Sequence, residues 1–527
     1  MNIQLKRATG SYYTCSSVAD FIASWAITDR KSIVLEPSFG DGSFLNAAIK
    51  RFASLEESTP NITGIELQSK PFTKYIKSKS LVKGYNIDFM EYASKEKYDA
   101  VIGNPPYVSI KSLKLSEKAN VMSLMEKYRY RLSANSSMWV PFIVHSTELL
   151  KIDGRMGFVL PYELTYVRYA FDLWKYLCEN FQDLSVLRIH DDFFPEVDVE
   201  TIIFLAAGKG GHTSTINYKV YPNLSSLYTD SLGVNYEIDV KDILCMKKPF
   251  ESMLISDETH LIINRLRESK KIKGIISDCK FKIGYVCGNK QYFHPSKEII
   301  EKYNINTKNL IPCITSGKEI SDIDNLGIDT CNISSKTSLF YPLNISNGEQ
   351  AYINYGEEIK VHEGYKCKKR KPWYITPETA IPDVILTVFG DIPRLLSNTG
   401  KYIISNTLLG GFLVSDASSK DLACRWYNSL TLLFVEIYIH SLGGGTLVFI
   451  PGETDKMEIL SDFPKNKVDE TYQMLNDCML QKGIEKTYEL GDKLVLKDIY
   501  NLSKKEIDEI KASAEYLRSW RKPDKRR

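Results

Sequence analysis

Asn104-Pro105-Pro106-Tyr107 concentrates more usable chemistry than any other four residues of this chain. It follows Tyr98-Asp99-Ala100-Val101-Ile102-Gly103, a short apolar run that reads as a buried strand closed by a turn. Two consecutive prolines remove two backbone donors and stiffen the strand exit, so the carbonyl of Pro105 has little freedom. An amide oxygen, a fixed carbonyl and a flat ring suit a planar ring that carries an exocyclic amino group. The two oxygens accept its N–H protons, and the Tyr107 ring stacks on its face. Taken alone, the tetrapeptide is also compatible with a plain turn bearing a surface tyrosine.

The elements that must position it alternate between strand-like and helix-like patterns over the first ~210 residues. Ile33–Glu36, Ile62–Glu66, Asn86–Asp88 and Asp99–Gly103 read as four strands, Arg155–Leu160 as a fifth, and Leu184–Ile189 and Thr201–Ala206 as the last two. Helical patterns cover 16–27, 43–54, 139–150 and 167–180. Seven strands with these crossovers predict an α/β, Rossmann-like sandwich. A domain boundary is expected near Gly208–Thr213, giving residues 1–210 and 211–527 as the two domains. The second half is mixed α/β, with strand-like runs at 282–286 and 384–388 and helices at 417–440 and 503–521.

The first four strands each end in or beside a polar residue: Glu36, Glu66, Asp88 and Asn104. Ligands of open α/β sheets bind beyond the carboxyl ends of the strands, so these four side chains should converge. Gly40 and Gly42 permit a tight turn after the first strand, although a glycine pair by itself is weak evidence. A dinucleotide fingerprint would need a glycine where Leu45 stands. Glu36 disfavours a phosphate and suits a cationic ligand end. Glu66 suits two ribose hydroxyls, Asp88 an adenine amino group, and Phe89 an apolar wall. Ribose, adenine and an amino-acid end without phosphate describe S-adenosylmethionine.

These residues, in this order, resemble the catalytic domain of the gamma-class adenine-N6 DNA methyltransferases of restriction–modification systems. The family's first motif corresponds to Thr9-Gly10-Ser11-Tyr12-Tyr13-Thr14, so the resemblance adds Tyr13 and Thr14 to the cofactor residues. Cys15 stands where the family usually has proline, and Ser137-Met138-Trp139 departs from its usual helix opening. The resemblance implies that Asn104 and the Pro105 carbonyl hold the amino group of an adenine flipped out of duplex DNA. Tyr107 would lie on one face of that base and Phe194 on the other. It also implies that the second half is a DNA target-recognition domain, and that a cognate restriction endonuclease is encoded separately.

Net charge is only +3, so contact with nucleic acid must be local. The connection from Tyr107 to Trp139 sets Lys111, Lys114, Lys118, Lys127, Arg129 and Arg131 against Glu117 and Glu126, interleaved with Tyr128 and Tyr130. Lys366, Lys368, Lys369, Arg370 and Lys371 form a second basic run before Trp373 and Tyr374. Each run is either a phosphate contact or a solvated basic face. Arg521-Lys522 and the residues after them read as a disordered basic tail. Ten cysteines without a C-x-x-C pair predict neither structural zinc nor a disulfide framework. No apolar run reaches membrane-span length, and a cytoplasmic monomer of prokaryotic or phage origin is expected. Two other readings stay open: a protein glutamine methyltransferase, and a DNA-binding protein whose methyltransferase domain is inactive.

Overall fold

Strand β1, Ile33–Glu36, is flanked on both sides by parallel neighbours: β2, Asn61–Ile65, and β4, Tyr98–Gly103. Its last three residues are buried, as expected of a strand covered on both faces. The computed structural model describes residues 14–77, 81–190, 200–229, 233–245, 248–320, 324–329, 337–377, 379–414, 416–442 and 445–522. They divide into two compact units, one running to Met253 and one from Leu254 to Lys522.

The first unit begins with α1 (Ser16–Ala26), followed after β1 by α2 (Ser43–Ser54), and after β2 by α3 (Ser69–Ile76) and β3 (Val82–Tyr85). After β4 come α4 (Leu115–Lys127), α5 (Trp139–Leu149), β5 (Leu150–Pro161), α6 (Phe171–Asn180), β6 (Phe181–Ile189) and β7 (Thr201–Lys209). Strands β8 (Thr215–Tyr221) and β9 (Val234–Asp239) complete a nine-stranded sheet among the described residues, in the order β3-β2-β1-β4-β5-β7-β6-β8-β9. β7 runs antiparallel to both of its neighbours.

Side-chain alternation sets the layers. A Cβ on Gly157 would meet Ile22 of α1 and Leu205 of β7. Phe204, one residue along and on the other face, packs against Trp174 of α6. Helices therefore cover both faces, with α1 resting on α2, β4 and β5.

The structure corrects four sequence expectations. Asn86-Ile87-Asp88 is not strand. The Asn86 amide donates to the carbonyls of Glu66 and Leu67, and Asp88 caps a 3-10 turn at Phe89–Glu91. Both short polar side chains thus compete for the backbone groups a ladder would use. Second, the sheet does not stop at seven strands near Gly208–Thr213. β8 pairs in parallel with β6, and Phe250, fully buried, packs on Trp174 and Tyr218. The compact unit accordingly reaches Met253.

The other two corrections fall in the second unit. Its 417–440 helix is two, Ser419–Trp426 and Ser429–Tyr438, broken where Asn428 turns extended and caps Thr431. Arg521 is not tail: it ends the helix Lys504–Arg521 and forms ion pairs with Glu436 and Asp391, while Lys522 also reaches Asp391. The rest of the expected tail lies outside the described residues. This unit carries a four-stranded sheet of Cys279–Ile283, Leu408–Leu413, Val384–Thr387 and Leu395–Ser397. Its core includes Arg425, clamped between Asp278 and Asp421. Among the described residues no helix is long and apolar enough to cross a membrane.

A fragment ending at Met253 should fold cooperatively, and one ending at residue 210 should not. The shorter fragment strips the β6 edge and removes buried Ile216, Tyr218 and Phe250. Thermal melts followed by circular dichroism decide the point; equal cooperativity in both fragments would show β8 and β9 to be appendages.

Candidate active site

β1 and β4 are adjacent, yet the chain leaves β1 towards β2 on one side and β4 towards β5 on the other. Such a reversal opens a crevice beyond the strand ends. Glu36 ends β1 and Asn104 directly follows β4, so the two flank this crevice.

Glu36 is 2% exposed, and its Oε2 meets no hydrogen-bond partner among the described residues. Burial, with Asp41 and Glu66 adding like charge, holds its carboxyl well above the ordinary carboxylate range, while the Leu45 N–H opposes the shift. A desolvated carboxyl lacking a partner is costly, and a cationic ligand group would relieve it.

The turn after β1 follows this carboxyl directly. Gly40 and Gly42 both have positive φ, +52° and +85°. A Cβ on Gly42 would sit 2.0 Å from the Tyr75 ring, whereas one on Gly40 would meet nothing within 4 Å. Gly42 is required by packing, and Gly40 leaves backbone exposed to open space. The Gly40 N–H donates to Glu66 Oε2 at 2.8 Å, and the Gln68 N–H donates to Oε1 at 2.7 Å. Burial still raises the Glu66 carboxyl above its usual value. Asn86 braces the Glu66 carbonyl at 2.7 Å. That supporting role was missed in the sequence, where the only signal was a short polar side chain two residues before Asp88.

Asp88 is half-buried and accepts from the Met90 N–H at 2.9 Å; burial raises its carboxyl too. Phe89 is 2% exposed, with ring centroids 5.0 Å from Phe142 and 4.4 Å from His145. It offers little surface to a ligand and instead supports the turn that carries Asp88. His145 Nε2 lies 3.0 Å from the Tyr92 carbonyl, and Nδ1 lies 2.7 Å from the Tyr128 hydroxyl. With a carbonyl on Nε2, the proton belongs there and Nδ1 accepts from Tyr128. Burial lowers the imidazole to about 4, so it is neutral.

Asn104 Nδ2 donates to Thr14 Oγ1 at 3.2 Å, and the Ser38 hydroxyl donates to the Asn104 carbonyl at 3.2 Å. Pro105 is buried, and Pro106 and Tyr107 are half-buried. The Tyr107 hydroxyl donates to the Val159 carbonyl of β5 at 3.1 Å, tying the tetrapeptide to the next strand. Beyond it, the Met138 N–H donates to the Val108 carbonyl at 2.8 Å. Trp139 Nε1 and the Tyr169 hydroxyl both donate to Glu163 Oε1, at 3.0 and 2.8 Å. Thus Thr14, Glu36, Gly40, Glu66, Asp88 and Asn104 all stand on elements at the carboxyl end of one sheet. Tyr13 and Phe194 lie outside the described residues.

The basic residues divide. Lys111, Lys114, Arg129 and Arg131 are exposed. Tyr128 and Tyr130, expected to interleave with them, turn inward instead, Tyr128 to His145 and Tyr130 edge-on to Tyr176. In the second unit Lys368, Lys369 and Lys371 are exposed. Arg370 turns inward and donates to the carbonyls of Val286 and Cys287. Tyr365, 64% exposed, carries Lys369 4.0 Å over its ring.

Residues 42–194 match the family described as the Eco57I restriction-modification methylase, and residues 247–496 match the C-terminal domain of the type II methyltransferase M.Eco57I. The chain is 24% identical to the type II methyltransferase M.BstVI of Geobacillus stearothermophilus, over 97% of this chain and 99% of that one. It is 21% identical to the type II methyltransferase M.AccI of Acinetobacter calcoaceticus, over 74% and 73%. This chain belongs to the DNA methyltransferases of restriction–modification systems. A solved structure of the type IIL restriction-modification enzyme MmeI in complex with DNA superposes with a TM-score of 0.56 at 12% identity. That likeness covers 99% of this chain and 80% of MmeI, and it shows a shared fold.

His145 generates a prediction about pH. Its folded value, about 4, lies below the ordinary value of 6.5, so the stabilisation is complete above pH 6.5 and is lost as pH falls toward 4. By pH 5 the loss is about 2 kcal/mol. Glu36, Glu66 and Asp88 shift the other way, so the informative quantity is the difference between proteins. His145→Gln should close most of the gap in unfolding free energy between pH 7 and pH 5. An unchanged pH profile would mean that His145 is not buried neutral.

Proposed function

We propose that this chain is an S-adenosylmethionine-dependent DNA methyltransferase of the gamma arrangement, which modifies the N6 amino group of an adenine extruded from duplex DNA. The observation that carries this reading is the pairing of Glu36, a buried carboxylate with an unpartnered oxygen, and Asn104 across one switch crevice. The donor set fits the cofactor piece by piece. Glu36 would hold the cationic amino end, the Gly40 backbone leaves room beside it, Glu66 would take the ribose hydroxyls, and Asp88 the adenine amino group. When bound, S-adenosylmethionine supplies a methyl group on a sulfonium.

The residues of the chain do the rest. The Asn104 amide oxygen and the Pro105 carbonyl accept the two hydrogens of the target amino group. They draw its nitrogen toward tetrahedral geometry and free a lone pair that conjugation otherwise holds in the ring. No strong base is required beforehand, since the amino proton becomes acidic only as the new bond forms. Placement and preorganised acceptors carry the rate. Tyr107, with its hydroxyl held on β5, presents a ring face to the base, and Phe194 is assigned to the opposite face. A stacked base cannot reach these groups, so extrusion is part of the reading. Lys111, Lys114, Arg129 and Arg131 in the first unit, and Lys368, Lys369 and Lys371 in the second, are assigned to phosphates. Arg370 is assigned to holding that turn in place. The second unit is the reader of sequence, acting with a separately encoded cognate endonuclease and a chain that works as a monomer.

The test offers unmethylated duplex DNA and protein substrates to the full chain with radiolabelled cofactor, then identifies the modified nucleoside by mass spectrometry. N6-methyladenine is expected. Label in protein, or in cytosine, would overturn the reading.

Asn104→Ala should leave cofactor affinity in place and lower turnover on the order of a hundredfold or more, because the amide acts on the transition state. Near wild-type turnover at saturation would remove it from the catalytic role. Glu66→Ala should weaken cofactor binding, since a hydrogen bond to a charged group contributes roughly 1.5–3 kcal/mol. Calorimetry showing unchanged affinity would assign Glu66 to bracing the Gly40 turn alone.

A further inference from the structure

We infer that Thr14 is a positioning residue for Asn104, setting the amide that receives the target amino group; the inference rests on the reading of Asn104 given above. The two residues are ninety apart in sequence and 3.2 Å apart in space, with Asn104 Nδ2 donating to Thr14 Oγ1. Thr14 is itself 7% exposed and sits just ahead of α1. That helix is anchored by Val18, Ala19, Ile22 and Ala23, all fully buried, and it packs on β4, the strand that delivers Asn104. The bond therefore joins the start of one rigid element to the exit of another. Ser38, on the turn after β1, holds the Asn104 carbonyl, so the residue is gripped at its main chain from one side and at its amide from the other.

The grip matters because the two ends of an amide are nearly identical in shape and opposite in chemistry. An amino group has two hydrogens to give, so it must meet Oδ1. If the amide is reversed, N–H faces N–H. A hydroxyl can serve either end of an amide, but with Nδ2 on Thr14 the accepting end is Oδ1, the arrangement that methyl transfer needs. Thr14 thereby takes up the donor and removes the free rotation of the side chain, so that the acceptor is in place before the base arrives. This differs from the role that the family resemblance gives Thr14, contact with the cofactor, and the two are separable by experiment.

Three full-length proteins are compared: wild type, Thr14→Val and Thr14→Ser. Valine keeps the shape and loses the acceptor; serine keeps the hydroxyl. For each, S-adenosylmethionine affinity is measured by calorimetry, thermal stability by melting, and single-turnover methyl transfer on unmethylated duplex DNA at saturating cofactor. Thr14→Val should slow the transfer step roughly tenfold, the size of one lost hydrogen bond, with cofactor affinity and melting point unchanged. Thr14→Ser should stay within about threefold of wild type. A transfer rate unchanged in Thr14→Val overturns the inference. So does a loss of cofactor affinity with the saturated rate preserved, which would make Thr14 a cofactor contact only. If Thr14→Val melts early, Thr14→Ser becomes the judge, and a serine variant as slow as valine also overturns it. If wild type transfers no methyl to duplex DNA, the proposed function has failed rather than the role of Thr14.

Discussion

A carboxyl group buried at the end of a central strand is the constraint around which this site is arranged. Glu36 is buried, and the charges that act on it, Asp41 and Glu66, are of its own sign. Burying an ionisable group without a counter-charge costs far more than a single hydrogen bond returns. The local structure lowers that cost only in part, through the Leu45 N–H and a carboxyl pushed toward its neutral form. What the fold leaves unmet, a positively charged ligand group can meet. Directly after this residue the glycine turn packs Gly42 against Tyr75, leaves open space beside Gly40 and ties the Gly40 N–H to Glu66.

Around that point the strand ends are held by short polar side chains, and not by longer strands. Asn86 fixes the end of β2, Asp88 caps its own turn, Ser38 fixes the exit of β4, and Glu163 gathers Trp139 and Tyr169 beyond β5. Asn86, Asp88 and Ser38 each satisfy a backbone group beyond the ends of the ladders, whereas Glu163 ties side chains together. The same groups fix the polar lining of the crevice, which is what the proposed placing of two acceptors against one amino group requires.

The neutral imidazole of His145 shows how the wall behind this crevice is made dry. It packs on Phe89 and Tyr128 and satisfies both ring nitrogens within the core. Tyr128 caps the end of α4, the helix that precedes Arg129 and Arg131. A basic surface and the turn bearing Asp88 therefore share one packed layer, with Asn120 and Glu91 joined 2.8 Å apart on its rim.

The sequence by itself determined the order of the strands and of the polar residues that end them. Alternating apolar runs located β1, β2, β4 and the helices at 16–26 and 43–54 to within a residue or two. The polar residues ending those strands, Glu36, Glu66 and Asn104, could be placed at one crevice because a parallel sheet leaves strand ends nowhere else to point. Three kinds of information were not local and were decided by tertiary structure. Asn86 left the strand pattern because its side chain found the carbonyls of Glu66 and Leu67 at the end of β2, and Asp88 followed by capping its own turn. β8 and β9 joined the first unit because β6 offered an unpaired edge and Phe250 a place between Trp174 and Tyr218, though the glycines at 208–211 mark a break. Arg370, Tyr128, Tyr130 and Arg521 look like surface residues in a list of charges and rings, yet carbonyls, a histidine, a tyrosine and two carboxylates far along the chain draw them inward. Periodicity reports which face of an element is apolar; it carries no record of the partner waiting there, and that partner decides whether a polar side chain meets water or the core.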